Sequence, residues 1–173
     1  MQDVIRGKVW TLGDNVDTDG IISGKYLTVL DPAELRKHVF EIALPAFAAG
    51  AQKGDIVVAG SNFACGSSRE AAPQALRAVG VGAVLADSFA RIFYRNCINL
   101  GVPAVEVSGV RAIFEDGDPA RIEMSAGRIV NERTRAEVRF PPLPPHLLGL
   151  LEVGGLVEKV RQELIAAKSA ARA

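Results

Sequence analysis

The chain has 173 residues, 49% of them hydrophobic, which is enough to bury the core of one ordinary domain. Its 20 acidic and 20 basic residues cancel, which excludes the overall positive field that draws proteins to nucleic acid or anionic lipid. No stretch approaches the roughly 18 uninterrupted apolar residues of a membrane span, and the charged N-terminus does not resemble a secretion signal, so we expect a cytoplasmic protein.

The N-terminal segment predicts a strand followed by an acidic loop and a helix. Residues 7–12 are an apolar run, and turn-forming residues follow, with acids at positions 14, 17 and 19. Asp31 and Pro32 then predict the start of a helix, as N-cap and first helical residue. Apolar residues at helical spacing continue that helix until Pro45; they are Leu35, Val39 and Ile42.

The central part of the chain alternates short strands with helices. Apolar, β-branched runs predict buried strands at 56–60, 83–86 and 102–107. Helical periodicity connects them, around residues 75–79 and at 88–100, and a glycine follows each helix. This alternation predicts an α/β fold with a mainly parallel central sheet and right-handed crossovers.

The C-terminal part of the chain has a different pattern. Residues 121–124 and 128–131 flank a Ser-Ala-Gly turn and predict an antiparallel hairpin, which would form a lid or a second layer. The proline-rich residues 141–145 predict a stiff connector. Apolar residues then recur at helical spacing, so we expect one domain over residues 1–173 that ends in an amphipathic helix at about 154–170.

The segment most informative about function is Gly60-Ser-Asn-Phe-Ala-Cys-Gly-Ser-Ser-Arg-Glu70, which follows a predicted strand and so lies at the carboxyl edge of the sheet. Its last four residues fit a capping box, with Ser67 as N-cap, although Pro73 indicates a later helix start. Backbone N–H groups and the Arg69 guanidinium would favour a carboxylate there, and they would activate Ser67 as a base. The simpler alternative is that Ser67 only caps the helix and Arg69 extends into solvent.

Three segments in the same order carry a resemblance to a known family. They are the segment at 60–70, the segment at 13–27 with its Asp-Asn-Val-Asp-Thr-Asp, and the segment at 86–103 with its Asp-Ser-Phe-Ala-Arg-Ile-Phe-Tyr-Arg-Asn. Together they resemble the small-subunit family of 3-isopropylmalate dehydratase, in the aconitase superfamily. The resemblance implies a swivelling β/β/α three-layer domain and a separate large subunit that carries a [4Fe-4S] cluster. It also implies a hydro-lyase that isomerises 2- and 3-isopropylmalate in leucine biosynthesis, active only as a heterodimer.

The resemblance assigns site residues by position. It implies that Ser67 removes a proton beside a substrate carboxylate, that Arg69 grips a carboxylate next to Ser68, and that Asp19 supplies the acidic group of the cleft. A loop that selects among substrates is also implied; its residues are Lys25, Tyr26, Leu27, Thr28 and Val29. Because Thr28 and Val29 offer no cation at the tip, the loop favours an apolar isopropyl group over the extra carboxylate of homoaconitate.

Several alternatives stay open at this point. Ala71 and Gly20 depart from the commonest pattern of the family, so homoaconitate hydratase and dehydratases of methyl-substituted malates remain alternatives. A non-catalytic interaction domain is the alternative from another class.

Other residues carry weaker signals. A cysteine hydrolase would need Cys65 with His38 or His146 as its base, and we disfavour it because both histidines lie in unsuitable segments. Two cysteines and two distant histidines make a poor metal cage, so we expect no metal bound by this chain. A further apolar helical face predicts core packing; its residues are Phe89, Ile92, Phe93 and Ile98.

Overall fold

The structure is a computed structural model that describes residues 3–29, 31–66 and 70–170. The described residues form seven strands: β1 Val4–Thr11, β2 Ile56–Ala59, β3 Ala83–Ala86, β4 Ala104–Glu106, β5 Pro119–Glu123, β6 Arg128–Asn131 and β7 Glu137–Arg139. They also form seven α-helices: α1 Thr18–Ile21, α2 Pro32–Leu35, α3 Pro45–Gly50, α4 Ala71–Val79, α5 Arg91–Asn99, α6 Pro145–Val153 and α7 Leu156–Ala170. Short 3₁₀ turns occur at Gly24–Tyr26, Arg36–His38 and Val110–Ile113.

All seven strands belong to one mixed sheet, in the order β4-β3-β2-β1-β5-β6-β7. Strands β1 to β4 are parallel, with Val9 beside Ile56 and Ile56 beside Ala83. Strand β5 pairs antiparallel with β1, β6 with β5, and β7 with β6. Strand β6 therefore runs in the same direction as β1. Five strands therefore share one direction, which confirms the predicted mainly parallel sheet and the predicted hairpin.

The two faces of the parallel strands pack against different layers. Strand residues such as Val57 and Val84 face the first core, which the helices α1 to α5 cover. Their neighbours Ile56 and Leu85 face a second core, which contains Ile122 of β5. Alternate residues of a strand point to opposite faces, so a strand between two cores must be apolar throughout. The part of the sheet formed by β5–β7 therefore packs across the second core from the parallel strands and forms the second β layer. This arrangement confirms the predicted β/β/α layering.

An aromatic cluster fills the first core beside β1. The Phe40 and Phe47 rings meet edge to face at 5.0 Å, and Trp10 meets Phe47 at 5.3 Å. The Trp10 indole N–H donates to the buried Asp55 carboxylate over 2.8 Å, so its polar edge is satisfied. This cluster fixes helix α3 against the sheet.

The predicted helix between Asp31 and Pro45 is much shorter in the structure. Asp31 is the N-cap, as predicted, and its carboxylate accepts a hydrogen bond from the Ala33 N–H over 2.9 Å. However, α2 ends at Leu35 and a 3₁₀ turn follows; Val39 is then extended and Phe40 has a left-handed φ of 55°, so the helix cannot continue to Pro45. Ile42 is consequently 73% exposed, so its predicted place on an apolar stripe is wrong.

Helix α4 starts later than a cap at Ser67 predicts, as Pro73 indicates, and helix α5 starts later than the predicted residue 88. Helix α4 begins at Ala71 with Glu70 as its N-cap, which places Pro73 in the first turn, where its missing N–H breaks no helical bond. Helix α5 begins at Arg91, because residues 88–90 pair in parallel with Phe63 instead. Its buried face includes Phe93 and Ile98, but Ile92 is 52% exposed and does not belong to the core.

The C-terminal region contains a helix that the sequence pattern did not predict. Helix α6 starts at Pro145, at the end of the proline-rich connector, and Gly154 ends it in a left-handed conformation. Helix α7 follows after Gly155. No helix in the three described ranges is long and apolar enough to cross a membrane.

Candidate active site

Two loops at the carboxyl edge of the parallel strands lie side by side. The loop after β1 and the loop after β2 exchange backbone hydrogen bonds from Asn15 N–H to Ser61 O over 2.9 Å and from Ala64 N–H to Val16 O over 2.7 Å. The Thr18 N–H donates to the Cys65 carbonyl over 3.1 Å. The predicted acidic loop is thereby bonded along its length to the segment that precedes Ser67.

The close approach of the two loops depends on a glycine. A Cβ atom at Gly60 would lie 1.9 Å from Oδ1 of Asp14 and 3.1 Å from its backbone nitrogen. That same Oδ1 accepts a hydrogen bond from the Ser61 N–H over 2.7 Å. Only glycine leaves room for this contact.

The second loop also contains strained backbone. Asn62 and Ala64 have φ values of 57° and 60°, and Asn15 opposite them has a φ of 54°. Asparagine tolerates the left-handed region through local hydrogen bonds, but an alanine there costs about 1 to 2 kcal/mol. Such strain persists only where the surrounding structure enforces it, and it is typical of functional sites.

The three central predicted residues Ser67, Ser68 and Arg69 lie outside the described residues. Their flanks are described: Gly66 approaches Asp17, and a Cβ at Gly66 would lie 3.8 Å from the Asp17 Cβ. On the other side, Glu70 occupies the N-cap position of helix α4, and its carboxylate accepts a hydrogen bond from the Gln74 side chain over 3.2 Å. The residues on either side of this segment thus lie beside the acidic loop and at the N-terminus of α4.

Asp19 lies in the short helix α1, which follows the acidic loop. Asp17 caps the helix, since its carboxylate accepts a hydrogen bond from the Gly20 N–H over 2.7 Å. The Asp19 carboxylate accepts one from the Gly24 N–H over 3.0 Å. Helix α1 thus joins the acidic loop to the segment containing Lys25, and these two predicted parts of the site are brought together.

The loop of residues 25–29 is anchored by a cluster of charged and aromatic side chains. The Lys25 ammonium lies 2.9 Å from one carboxylate oxygen of Glu41, and the Tyr26 hydroxyl donates to the other oxygen over 2.9 Å. His38 stacks on the Tyr26 ring with centroids 3.8 Å apart and lies 3.3 Å from Glu41. The sequence pattern missed Glu41, because a contact across fifteen positions leaves no periodic signal.

The cluster changes the ionisation of its members. Its hydrogen bond to Glu41 raises the pKa of Lys25, and the same bond lowers the pKa of the Glu41 carboxyl. Lys25 and Glu41 are therefore a charged pair at neutral pH. The negative charge of Glu41 therefore compensates the positive charge of Lys25.

A groove of about 670 Å³ separates the 25–29 loop from helix α4. Leu27, which is 46% exposed, and Val29 line one wall, while Ala71 and Gln74 line the other. Ala71, one of the two positions that depart from the family pattern, thus borders this groove. At the other, Gly20, a Cβ would lie 3.3 Å from the Asp17 carboxylate, which is a tight fit.

The described residues do not support a cysteine hydrolase or a metal site. The Cys65 thiol donates to the Asn15 carbonyl over 3.7 Å, while His38 contacts Glu34 and Glu41. Burial raises the pKa of the Cys97 thiol, which keeps it protonated. Within the described ranges, no group of three or more His, Cys, Asp or Glu residues could hold a metal ion.

Comparisons with known proteins agree with this architecture. The family described as the aconitase C-terminal domain matches residues 37–109. The chain is 52% identical to 3-isopropylmalate dehydratase small subunit 1 of Methanopyrus kandleri, over 94% of this chain and 96% of the relative. It is also 52% identical to the methanogen homoaconitase small subunit of Methanothermobacter thermautotrophicus, over 91% of each chain.

A solved structure extends the similarity to three dimensions. The crystal structure of 3-isopropylmalate dehydratase from Methanocaldococcus jannaschii superimposes with a TM-score of 0.88 at 38% identity, covering 96% of this chain and 99% of the other. Identity at this level over nearly the whole length is sufficient to show kinship. The chain therefore belongs to the 3-isopropylmalate dehydratase small-subunit family of the aconitase superfamily, a family of hydro-lyase subunits.

Proposed function

We propose that the chain is the small subunit of a hydro-lyase that interconverts 2-isopropylmalate and 3-isopropylmalate by dehydration and rehydration. The observation that carries the proposal is the hydrogen-bonded pairing of the acidic loop with the segment that leads to Ser67, at the carboxyl edge of a parallel sheet. The relatives named 3-isopropylmalate dehydratase small subunit support this reaction. A role in leucine biosynthesis and a cytoplasmic location accompany the proposal.

In this proposal, Ser67 is the base that removes a proton from the carbon next to a carboxylate. A serine hydroxyl is a weak base, so its alkoxide needs positive groups around it. Arg69, two residues away, and the N-terminal N–H groups of α4 are the candidates for that role. Arg69 would hold a substrate carboxylate through two parallel hydrogen bonds, with Ser68 beside it.

Asp19 would contribute a carboxylate at the edge of the cleft. Its hydrogen bond from the Gly24 N–H couples α1 to the 25–29 loop. We therefore assign Asp19 the positioning of that loop as well as a place near the substrate. The loop of residues 25–29 would supply the contacts to the substituent that varies among substrates, through Leu27 and Val29 on the wall of the groove.

In this proposal, the partner subunit carries the cofactor of the enzyme. The two cysteines are poor cluster ligands, since Cys97 is buried in the core and Cys65 is bonded to Asn15. We therefore propose that a large subunit binds the [4Fe-4S] cluster and docks on the edge that carries the paired loops. The chemistry that the cluster supplies when bound is Lewis-acid polarisation of the departing hydroxyl.

One observation supports homoaconitate as an alternative substrate. The homoaconitase small subunit matches as well as the 52%-identical dehydratase subunit does, and its substrate class carries a further carboxylate. The apolar Leu27 and Val29 on the wall of the groove favour the isopropyl substituent instead. Methyl-substituted malates, which are smaller, are the remaining alternative.

The test is reconstitution with the large subunit from the same organism under anaerobic conditions. Formation of the unsaturated diacid is followed by ultraviolet absorbance, with isopropyl, methyl and carboxyl-bearing malates compared. Because a positioned base contributes about 10² to 10⁴ in rate, Ser67→Ala is expected to lower kcat by at least about 10²-fold. Arg69→Gln is expected to raise KM, since it removes the bidentate carboxylate contact.

The matched control is Ser61→Ala. Ser61 is an exposed serine of the same loop, and its N–H and C=O form the bonds to Asp14 and Asn15 that alanine would keep. This variant is expected to retain wild-type activity. Full turnover by Ser67→Ala would refute the catalytic role, and a complex that binds the large subunit without any turnover would favour the non-catalytic interaction domain.

A further inference from the structure

The Glu41 carboxylate lies at the centre of the cluster that anchors the 25–29 loop. Glu41 is half-buried and contacts three side chains at once: Lys25 at 2.9 Å, the Tyr26 hydroxyl at 2.9 Å and His38 at 3.3 Å. Two of these belong to the 25–29 loop, and the third stacks on Tyr26. One carboxylate therefore fixes both the backbone position of the loop and the direction of its lysine.

Lys25 is the only cation among residues 25–29, and its side chain is 61% exposed. The Glu41 carboxylate compensates its charge, and its ammonium also lies over the Tyr26 ring, 4.7 Å from the centroid. A lysine held in this way must give up its contact with Glu41 before it can pair with a substrate carboxylate. The same lysine released from Glu41 has a flexible four-carbon stem that can reach a new anion.

We infer that Glu41 is a positioning residue that sets substrate selectivity, by withholding the Lys25 cation from the cleft and holding the apolar Leu27 and Val29 toward the groove beside α4. The inference rests on the proposed function. It adds a specificity determinant outside the 25–29 loop itself. It also gives a reason why a loop that contains a lysine can favour an isopropyl group over a carboxylate.

The experiment uses the reconstituted complex and compares hydration of 2-isopropylmaleate with that of cis-homoaconitate. Glu41→Gln keeps the shape of the side chain and an acceptor for the Tyr26 hydroxyl, but it removes the charge that holds Lys25. An exposed ion pair is worth about 0.2 to 1 kcal/mol, so the ratio of kcat/KM for 2-isopropylmaleate to kcat/KM for cis-homoaconitate is expected to fall about 1.4- to 5-fold. The change is expected mainly in the KM of the tricarboxylate, and it should diminish in high salt.

Two further variants separate selectivity from a general loss of structure. In Lys25→Met/Glu41→Gln the released cation is gone, so the ratio is expected to return to the wild-type value. Glu34→Gln removes a carboxylate that contacts Lys37 and His38 without contacting Lys25, so the ratio is expected to stay unchanged. Damage to the fold would lower both kcat/KM values together and leave the ratio the same.

The outcomes distinguish the inference from the function on which it rests. A wild-type complex that hydrates 2-isopropylmaleate, together with a Glu41→Gln complex of unchanged ratio, overturns the inference alone. A changed ratio that persists in the double variant also overturns it, since the lysine would then not be the cause. A wild-type complex that hydrates neither substrate overturns the proposed function.

Discussion

The contact between Gly60 and Asp14 allows a quantitative test of how the two loops are held together. Replacement of Gly60 by alanine places a Cβ 1.9 Å from the Asp14 carboxylate oxygen, so that the carboxylate must move. The move breaks its 2.7 Å hydrogen bond from the Ser61 N–H. Hydrogen bonds to charged groups contribute about 1.5 to 3 kcal/mol, and the lower value applies because Asp14 is exposed.

Part of this loss is offset in the unfolded chain. Alanine has fewer unfolded conformations than glycine, which stabilises the folded state by about 0.4 to 1 kcal/mol. We therefore expect Gly60→Ala to lower the free energy of unfolding by about 0.5 to 1 kcal/mol. For a chain of this size, the corresponding decrease in Tm is about 1 to 4 °C. Urea and thermal unfolding, followed by circular dichroism, measure both quantities.

A double-mutant cycle tests the cause. Asp14→Ala removes the hydrogen bond and the clashing oxygen, and it is expected to cost about 1.5 kcal/mol alone. In that background, Gly60→Ala meets only the backbone nitrogen of residue 14, at 3.1 Å, and is expected to be nearly neutral. If Gly60→Ala destabilised both backgrounds equally, the steric argument would be wrong.

Three further predictions concern stability. Arg133 and a set of hydrogen bonds lower the pKa of the buried Asp118 to about 2, so this carboxylate stabilises the fold above pH 4 and loses that effect as the pH falls toward 2. Urea unfolding of wild type and Asp118→Asn at pH 7 and pH 2.5 should show a difference that shrinks in acid by about 1 kcal/mol, after allowance for solvent screening of the half-exposed arginine. Asp31→Ala removes the cap of α2 and is expected to cost about 1 kcal/mol in the same assay, while Asp31→Asn keeps most of it. Phe47→Ala is expected to cost about 3 to 5 kcal/mol and Ile42→Ser less than about 0.5, and a large effect at Ile42 would contradict its exposure.

The fold was largely predictable from the sequence because its buried strands are short apolar runs between glycines. Strands β2 and β3 lie where the patterns at 56–60 and 83–86 predict them. The limits of the helices were less predictable, since tertiary contacts decide them. Phe40 leaves helical geometry to reach Phe47, and residues 88–90 pair with Phe63, and neither event has a signature in local periodicity.

The candidate site also has parts that the sequence predicts and parts that it does not. The turn-forming acids of the β1 loop and the position of 60–70 after a strand indicate the edge at which both loops meet. The partner of Lys25 could not be predicted, because Glu41 follows a left-handed Phe40 that redirects the chain. Contacts made by such irregular segments depend on three-dimensional packing, while periodic patterns report only the regular elements.

The strained backbone of the paired loops bears on the proposed docking of a partner at this edge. Asn15, Asn62 and Ala64 adopt left-handed backbone, and each such residue costs free energy that the fold must supply from packing elsewhere. In return, the backbone bonds between the loops hold Gly66 beside Asp17 without any contribution from another chain. Because these bonds are formed within the subunit, the proposed docking of a large subunit is expected to require little rearrangement of the paired loops. The entropy of ordering the two loops is then lost during folding, and binding of the partner does not have to offset it.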